Sequence, residues 1–454
     1  MLSRRTFLAA TAALTLPRPA FAAPPALTVA SRQIEVSGRG ATVFGITNAA
    51  GGNGLTTREG DRFTGTVLND SGGDLILHWH GQVLAAADQD RSRPGGGGQA
   101  QGSADAFDFA LTPGTHWMHA HQLTEQQLLA APMVTVEADA TTPEAVVMLH
   151  DFAFRSPAEI LAGLGASGAH DMASMASDAA DDKGHDMSAM TMPGMTHAND
   201  VAYDAFLAND RTLADPQVIV VEPGPFRLRL INGATATAFW IDTGLPTQVI
   251  ATDGTPCTPL TGQHFPIAQG QRLDLLITIP LSGGAFPILA QVEAARMRTG
   301  VILATAGAQI ARVSDMADAD SEPLDLRLDA ALTAANPPPD RAAQMLHVTL
   351  GMQPGYVWTI DTAMPLQATL GARVELKFMN PTPMMHPMHL HGHHFQVVDV
   401  GRGRFAGPMR DTVIVPPIGM VTVAVDLDKA GAWFLHCHHL YHMAGGMMTS
   451  LKVT

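Results

Sequence analysis

One stretch near the carboxyl end organises the sequence: Trp433-Phe434-Leu435-His436-Cys437-His438-His439-Leu440-Tyr441-His442-Met443-Ala444-Gly445-Gly446-Met447. The three apolar residues that open this stretch are typical of a buried β-strand. Because alternate side chains of a strand point to opposite faces, we expect His436 and His438 to face one way and Cys437 the other. Imidazoles and a thiolate are metal ligands. The pattern therefore predicts two metal centres, one on each face, joined through a few covalent bonds.

Three further His-X-His pairs lie upstream of this stretch, each beside strand-like sequence. Residues on the same face of a strand are about 6.6 Å apart, twice the rise of about 3.3 Å per residue. That spacing suits ligation of neighbouring metal ions better than chelation of one ion. We therefore expect the imidazoles of the four pairs to divide over a small copper cluster. They belong to His78, His80, His119, His121, His389, His391, His436 and His438.

Four possible ligands are not among these eight histidines, namely His386, Cys437, His442 and Met447. Two histidines, a cysteine thiolate and a weak axial methionine form the ligand set of a blue-copper electron-transfer site. Zinc is the main chemical alternative, but zinc sites favour four tetrahedral ligands at compact spacing. The spread of these twelve ligands along the chain favours copper.

The four motifs, in this order and at these internal spacings, resemble those of the multicopper oxidases, which include laccases, ascorbate oxidases and bacterial copper-tolerance oxidases. Three further phrases, residues 200–207, 229–234 and 265–272, resemble bacterial members. The resemblance implies an all-β chain of three cupredoxin-like Greek-key β-barrel or sandwich domains. It also implies four copper ions as cofactors: one type 1 copper, one type 2 copper and a type 3 pair.

The resemblance also distributes the ligands over these coppers. The type 1 positions match His386, Cys437, His442 and Met447. The type 2 positions match His78 and His389. The type 3 positions match His80, His119, His121, His391, His436 and His438. Electrons are expected to cross from Cys437 to His436 and His438. The family usually keeps a proton-relaying acid in the loop after the first pair; Asp88 and Asp90 compete, and the sequence around Asp90 is nearer the family phrase.

Length and composition set the domain organisation. At about 150 residues per domain, 454 residues predict about three domains, and frequent glycine and proline favour short strands joined by turns. We place the first domain at residues 23–143, the second at 144–313, a linker at 314–345 and the third at 346–454. The two outer domains carry all four pairs, so the cluster should lie where they meet. In three-domain relatives the second domain acts as a spacer.

Residues 1–22 are predicted to be a targeting segment. Ser3-Arg4-Arg5-Thr6-Phe7-Leu8 is a twin-arginine signature, and Ala20-Phe21-Ala22 is a cleavage site. We expect export to the periplasm through the twin-arginine machinery, with no membrane span in the mature chain. A net charge of −15 argues against a nucleic-acid partner. Since Cys437 is assigned to copper, no disulfide with Cys257 is expected.

The donor is predicted from methionines, because thioether sulfur prefers Cu(I). Residues 165–199 are inserted in the second domain and are rich in methionine and histidine. A solvated insertion without a role is one alternative, and a methionine stripe on a packed helix is another. Possible Cu(I)-binding residues in the insertion are Met187, Met190, Met192 and Met195. Met384, Met385 and Met443 adjoin type 1 ligands in the sequence, although they could merely pack the site.

These observations predict an enzyme that oxidises a donor one electron at a time, with Cu(I) as the expected donor, and reduces O2 to water. The periplasm and copper tolerance are its expected setting. A laccase that oxidises phenolic compounds is the alternative within enzymes. A copper-sequestering protein without turnover is the alternative from another class.

Overall fold

The computed structural model describes residues 26–166 and 198–454. The predicted targeting segment and most of the insertion, including Met187, Met190, Met192 and Met195, lie outside the described residues. Nearly all regular structure in the described residues is β-strand, which confirms the all-β prediction. No helix found in these two ranges is both long and apolar enough to cross a membrane.

The amino-terminal β-sandwich contains two four-stranded sheets. Its strands are β1 (Leu27–Val36), β2 (Arg39–Asn48), β3 (Leu55–Arg58), β4 (Arg62–Asp70), β5 (Leu77–His80), β6 (Ala104–Ala110), β7 (Gly114–Ala120) and β8 (Ala130–Val136). The strand orders are β2-β1-β4-β6 and β3-β8-β7-β5. Short 3-10 helices occupy Ala87–Gln89 and Leu123–Gln127. Apolar side chains of both sheets, among them Phe63, Trp79 and Phe109, form the core between them.

The central part of the chain forms one nine-stranded sheet. Its strands are β9 (Glu144–Phe152), β10 (Ala205–Ala208), β11 (Val218–Val220), β12 (Gly224–Asn232), β13 (Phe239–Thr252), β14 (Thr255–Ile267), β15 (Arg272–Ile279), β16 (Ala285–Val292) and β17 (Arg298–Ala304). The order is β10-β9-β12-β15-β13-β16-β17-β11, with β14 also paired to β13. Register shifts in β13 mark irregularities of the kind that bend a strand. Helix α1 covers residues 157–166 as far as the structure describes it.

The carboxy-terminal β-sandwich contains a six-stranded and a five-stranded sheet. Its elements are α2 (Arg327–Ala331), β18 (Gln344–Gln353), β19 (Val357–Asp361), β20 (Gln367–Ala368), β21 (Arg373–Asn380), β22 (His386–Leu390), β23 (Phe395–Asp399), β24 (Met409–Arg410), β25 (Thr412–Val415), β26 (Gly419–Asp426), β27 (Gly431–Cys437), α3 (Leu440–Ala444) and β28 (Met448–Val453). The strand orders are β19-β18-β21-β26-β23-β24 and β20-β28-β27-β22-β25. The predicted linker is partly packed, because Leu324, Leu326 and Leu328 are buried.

Strand register places the histidine pairs opposite one another. In the amino-terminal sandwich, β5 pairs with β7 so that His78 lies opposite His119. In the carboxy-terminal sandwich, β22 pairs with β27 so that His389 lies opposite His436 and Met388 opposite Cys437. Each sandwich therefore brings its own two pairs together at one end of a sheet.

Candidate metal centres

All eight paired histidines meet where the amino-terminal and carboxy-terminal sandwiches are in contact, and all eight are buried. His78 Nε2 lies 3.3 Å from His389 Nε2, and His121 Nε2 lies 3.1 Å from His436 Nε2. Two pairs of rings stack across the same interface: His80 on His389 with ring centroids 3.8 Å apart, and His78 on His391 with centroids 3.7 Å apart. The histidine cluster is thus a product of docking, since neither sandwich contains it alone.

Outer hydrogen bonds determine which nitrogen of several rings faces the cluster. His389 Nδ1 donates to the Asp411 carbonyl oxygen at 2.8 Å, and His391 Nδ1 donates to the Ser92 carbonyl oxygen at 3.1 Å. His436 Nδ1 donates to the Cys437 carbonyl oxygen at 2.9 Å. A carbonyl oxygen only accepts, so each of these Nδ1 atoms carries the proton. The Nε2 atom of a neutral ring then presents its lone pair to the cluster, which is the orientation that metal-binding histidines take.

The inward-facing nitrogens need a cation. His391 Nε2 and His436 Nε2 lie 3.0 Å apart, and their two lone pairs repel unless a cation shares them. Protons do not serve, because burial lowers the pKa of both imidazoles well below its usual value and neighbouring histidines lower it further. In the described residues, His119 Nε2, His80 Nδ1 and both ring nitrogens of His438 are buried without a hydrogen-bond partner. A cluster of neutral imidazoles with these free nitrogens fits copper ions.

A second set of ligands lies on the other side of Cys437. The Cys437 Sγ atom is 3.8 Å from His386 Nδ1 and 3.7 Å from His442 Nδ1, and all three side chains are buried. Burial raises the pKa of the Cys437 thiol and lowers that of His442 to about 4. A thiolate at this position therefore requires a bound cation. Met447 is buried in the same core, and its carbonyl oxygen accepts from the Cys437 amide at 3.0 Å.

The two centres share a short covalent connection. Strand β27 ends at Cys437, and His438 follows immediately. The Cys437 thiol faces His386 and His442, whereas its carbonyl oxygen accepts from the His436 ring in the histidine cluster. One residue thus contacts both centres, which is the arrangement that the alternating strand pattern predicts.

The chain matches the family described as multicopper oxidase over residues 168–312 and 337–454. It is 30% identical over 450 residues to multicopper oxidase MmcO of Mycobacterium tuberculosis, a match that covers 94% of this chain and 86% of that protein. The chain belongs to the multicopper oxidase family. Members bind copper cofactors and use O2 together with a reducing substrate.

Other relatives agree with this family. A copper resistance protein A homolog of Pseudomonas syringae pv. tomato is 25% identical over 546 residues, which cover 94% of this chain and 92% of that protein. The multi-copper oxidase of Pseudomonas thermotolerans superposes with a TM-score of 0.69 at 20% identity, covering 94% of this chain and 98% of that one. A laccase from Botrytis aclada superposes with a TM-score of 0.71 at 20% identity, covering 94% of this chain and 86% of that one. These structures confirm the cupredoxin-like fold.

In this multicopper oxidase, Asp90 rather than Asp88 adjoins the histidine cluster. Asp90 is buried, and its Oδ2 atom lies 2.6 Å from His78 Nδ1. Burial raises the pKa of Asp90 to about 8. Asp88 lies on the 3-10 helix Ala87–Gln89 with its side chain exposed. The position of Asp90 therefore favours it as the acid next to the cluster.

Three acids beside the histidines were not predicted from the sequence. Asp411 Oδ1 lies 3.1 Å from His80 Nε2, and Glu125 Oε2 lies 3.1 Å from His119 Nδ1. Asp200 reaches the other centre, where its Oδ2 atom lies 3.5 Å from His442 Nε2. Asp200 and Asp411 are distant in sequence from the histidines they contact. Only Glu125, four residues after the second pair, could have been noticed from its spacing.

The three methionines adjoining type 1 ligands in the sequence differ in burial. Met385 is 6% exposed and packs in the core of the carboxy-terminal sandwich, which favours the packing alternative for this residue. Met384 and Met443 are half-buried. Of these three methionines, Met384 and Met443 are therefore the ones that a small soft donor could reach.

Proposed function

We propose that this oxidase couples the one-electron oxidation of Cu(I) to the four-electron reduction of O2 to two molecules of water, in periplasmic copper tolerance. The observation that carries this proposal is the position of Cys437 between the two candidate metal centres. Its thiol contacts two histidines of one centre, and both of its sequence neighbours belong to the eight-histidine cluster. A two-centre arrangement of this kind suits an enzyme better than copper storage, which needs no connection between the sites.

The ligand assignment follows the family pattern and is part of the proposal. The type 1 copper would be held by His386, Cys437, His442 and Met447. The type 2 copper would be held by His78 and His389. The type 3 pair would be held by His80, His119, His121, His391, His436 and His438. Bound copper supplies the one-electron redox chemistry and the site of O2 reduction.

The protein's own groups would move electrons and protons between these sites. His442 and His386 are the entry residues, and the backbone of Cys437 leads to His436 and His438. Asp90, a buried carboxyl group 2.6 Å from a ring nitrogen of His78, is positioned to relay protons to the cluster. The rings of Trp358 and His442 have centroids 3.9 Å apart, so Trp358 helps hold this entry residue in place.

Cu(I) is favoured as donor by sulfur next to the entry histidines. Met384 lies two residues before His386 and Met443 directly follows His442, and both side chains are half-buried. Thioethers bind Cu(I) in preference to harder cations. The relative named copper resistance protein A homolog supports the same setting. Export to the periplasm by the twin-arginine route rests on the sequence of residues 1–22.

Oxygen uptake with Cu(I) and with a substituted phenol tests the donor. We expect Met384→Leu/Met443→Leu to lower kcat/KM for Cu(I) by about tenfold, the effect of losing about 1.4 kcal/mol, and to leave phenol oxidation unchanged. Met364→Leu, at an exposed methionine, is the matched control. Efficient phenol oxidation with negligible Cu(I) oxidation would favour a laccase. No oxygen uptake by fully copper-loaded protein would favour sequestration.

A further inference from the structure

The central sheet reaches the histidine cluster through Arg272, the first residue of β15. This side chain is fully buried and binds Asp411 with two hydrogen bonds, Nη1 to Oδ1 at 2.7 Å and Nη2 to Oδ2 at 2.6 Å. A paired contact of this kind fixes both the position and the orientation of a carboxylate. Lysine cannot reproduce it, because an ammonium group has no planar pair of donors.

The remaining donors of Arg272 join it to other parts of the chain. Nε donates to the Thr115 carbonyl at 3.1 Å, Nη1 to the Gly270 carbonyl at 3.0 Å and Nη2 to the Asp253 carbonyl at 3.0 Å. Thr115 belongs to the amino-terminal sandwich and Asp411 to the carboxy-terminal one. With all five N–H groups used, one guanidinium group connects the central sheet to both sandwiches.

Asp411 in turn orients one histidine from each sandwich. Its Oδ1 atom lies 3.1 Å from His80 Nε2, and its carbonyl oxygen accepts from His389 Nδ1 at 2.8 Å. The outer nitrogen of each ring is thereby engaged. The other nitrogen of each ring, His80 Nδ1 or His389 Nε2, is left for the cluster. Groups that hold the outer nitrogen of a metal-binding histidine set the orientation of the ring and strengthen metal binding.

The same turn of the central sheet also contacts His438. Gly270 has a φ of +80°, and a Cβ atom at this position would lie 2.7 Å from His438 Cδ2. A side chain at this position would therefore collide with the imidazole ring of His438. Three cluster histidines thus have surroundings set by this edge of the central sheet: His438 through Gly270, and His80 and His389 through Arg272 and Asp411.

We propose that Arg272 is a positioning residue of the histidine cluster: by holding Asp411 it fixes His80 and His389, so the central sheet is required for metal retention and is more than a spacer. This inference rests on the proposed copper assignment. Removal of the guanidinium would leave a buried carboxylate without its cation, and Asp411 would then leave its position. A turned side chain withdraws Oδ1 from His80 Nε2, and a shifted backbone also withdraws the carbonyl oxygen from His389 Nδ1.

Arg272→Lys and Asp411→Asn test the inference, and Arg229→Lys is the matched control. Arg229 is an equally buried arginine of the central sheet, and its ion pairs are with Glu137, Glu144 and Asp274 rather than with a residue at the cluster. Each variant would be measured for three quantities: copper per chain, the visible absorption of the type 1 site and the Tm of the copper-free protein. The copper-free Tm shows how much of any loss comes from the fold alone.

We expect Arg272→Lys and Asp411→Asn to lose at least one copper ion per chain from the cluster and to keep the type 1 absorption. Arg229→Lys should keep all its copper, even where its copper-free Tm falls as far as that of Arg272→Lys. Full cluster copper in Asp411→Asn, or equal copper loss in Arg272→Lys and Arg229→Lys, would overturn the inference. Wild-type protein that takes up no copper at the cluster would instead overturn the proposed function.

Discussion

His78 Nε2 lies 3.3 Å from His389 Nε2, although 311 residues separate them in the chain. One belongs to the amino-terminal sandwich and the other to the carboxy-terminal sandwich. Their contact shows that the candidate copper cluster is assembled by docking of the two ends of the molecule. Variants that weaken ligation at the interface should therefore affect the cluster and leave the centre around Cys437 in place.

His121→Ala tests this separation of the two centres. His121 Nε2 contacts His436 Nε2 at 3.1 Å across the interface, so its loss should remove cluster copper and abolish O2 reduction. The visible absorption of the type 1 site should persist and should still bleach when a donor is added without oxygen. His264→Ala, at an exposed histidine stacked on Trp240, serves as control. Loss of both centres in His121→Ala would contradict independent ligation.

Cys437→Ser should abolish the blue colour and donor oxidation, because a hydroxyl group does not replace the thiolate as a ligand. The cluster histidines lie on the other face and should keep their copper, which metal analysis would measure. Cys257→Ser is the matched control, since Cys257 is also a free, buried cysteine but lies in the core of the central sheet. Retention of the blue colour in Cys437→Ser would refute the assignment of the type 1 site.

Asp90→Asn should slow O2 reduction by roughly 100-fold, the usual effect of losing a positioned proton-transfer group. Copper content and the rate of type 1 reduction by a donor without oxygen should remain as in the wild type. Asp88→Asn, two residues away and exposed, is the control. If Asp88→Asn were the slower variant, the proton relay would have to be reassigned.

Glu293 should make the stability of the copper-free protein depend on pH. Its buried carboxyl group accepts from the Leu324 amide at 2.6 Å, and burial raises its pKa from 4.5 to about 7. The folded state thus binds the proton more tightly than the unfolded state. The stabilisation is complete below pH 4.5 and is lost as pH rises to about 7, a total of about 3 kcal/mol.

Glu293→Gln keeps the hydrogen-bond acceptor without the ionisation. The free energy of unfolding of Glu293→Gln minus that of the wild type should therefore be larger at pH 8 than at pH 5. Urea unfolding of the copper-free proteins measures this difference. Glu222→Gln, at an exposed glutamate, should show no such trend. Parallel pH profiles for Glu293→Gln and the wild type would rule out ionisation of Glu293 as the cause.

The spacing of the motifs predicted the candidate ligands, and their resemblance to a known family predicted the all-β fold. Strand periodicity placed Cys437 and His436 on opposite faces of one strand, and the spacing of the histidine pairs indicated neighbouring metal ions. The sequence pattern of residues 314–345 did not predict that the linker packs through Leu324 and Leu326, because burial depends on what covers a side chain. It also left Asp88 and Asp90 as alternatives, since both lie in one loop and only the folded loop brings Asp90 to His78.

The sequence alone thus determined which residue types could bind copper and on which face of a strand each one lies, because both follow from side-chain chemistry and the two-residue repeat of a strand. Only the tertiary structure decided which distant groups surround those ligands. Arg272 and Asp411 are 139 residues apart, and their pairing beside His80 depends on how the central sheet docks against the two sandwiches. Such contacts have no local periodicity, so no stretch of sequence encodes them by itself.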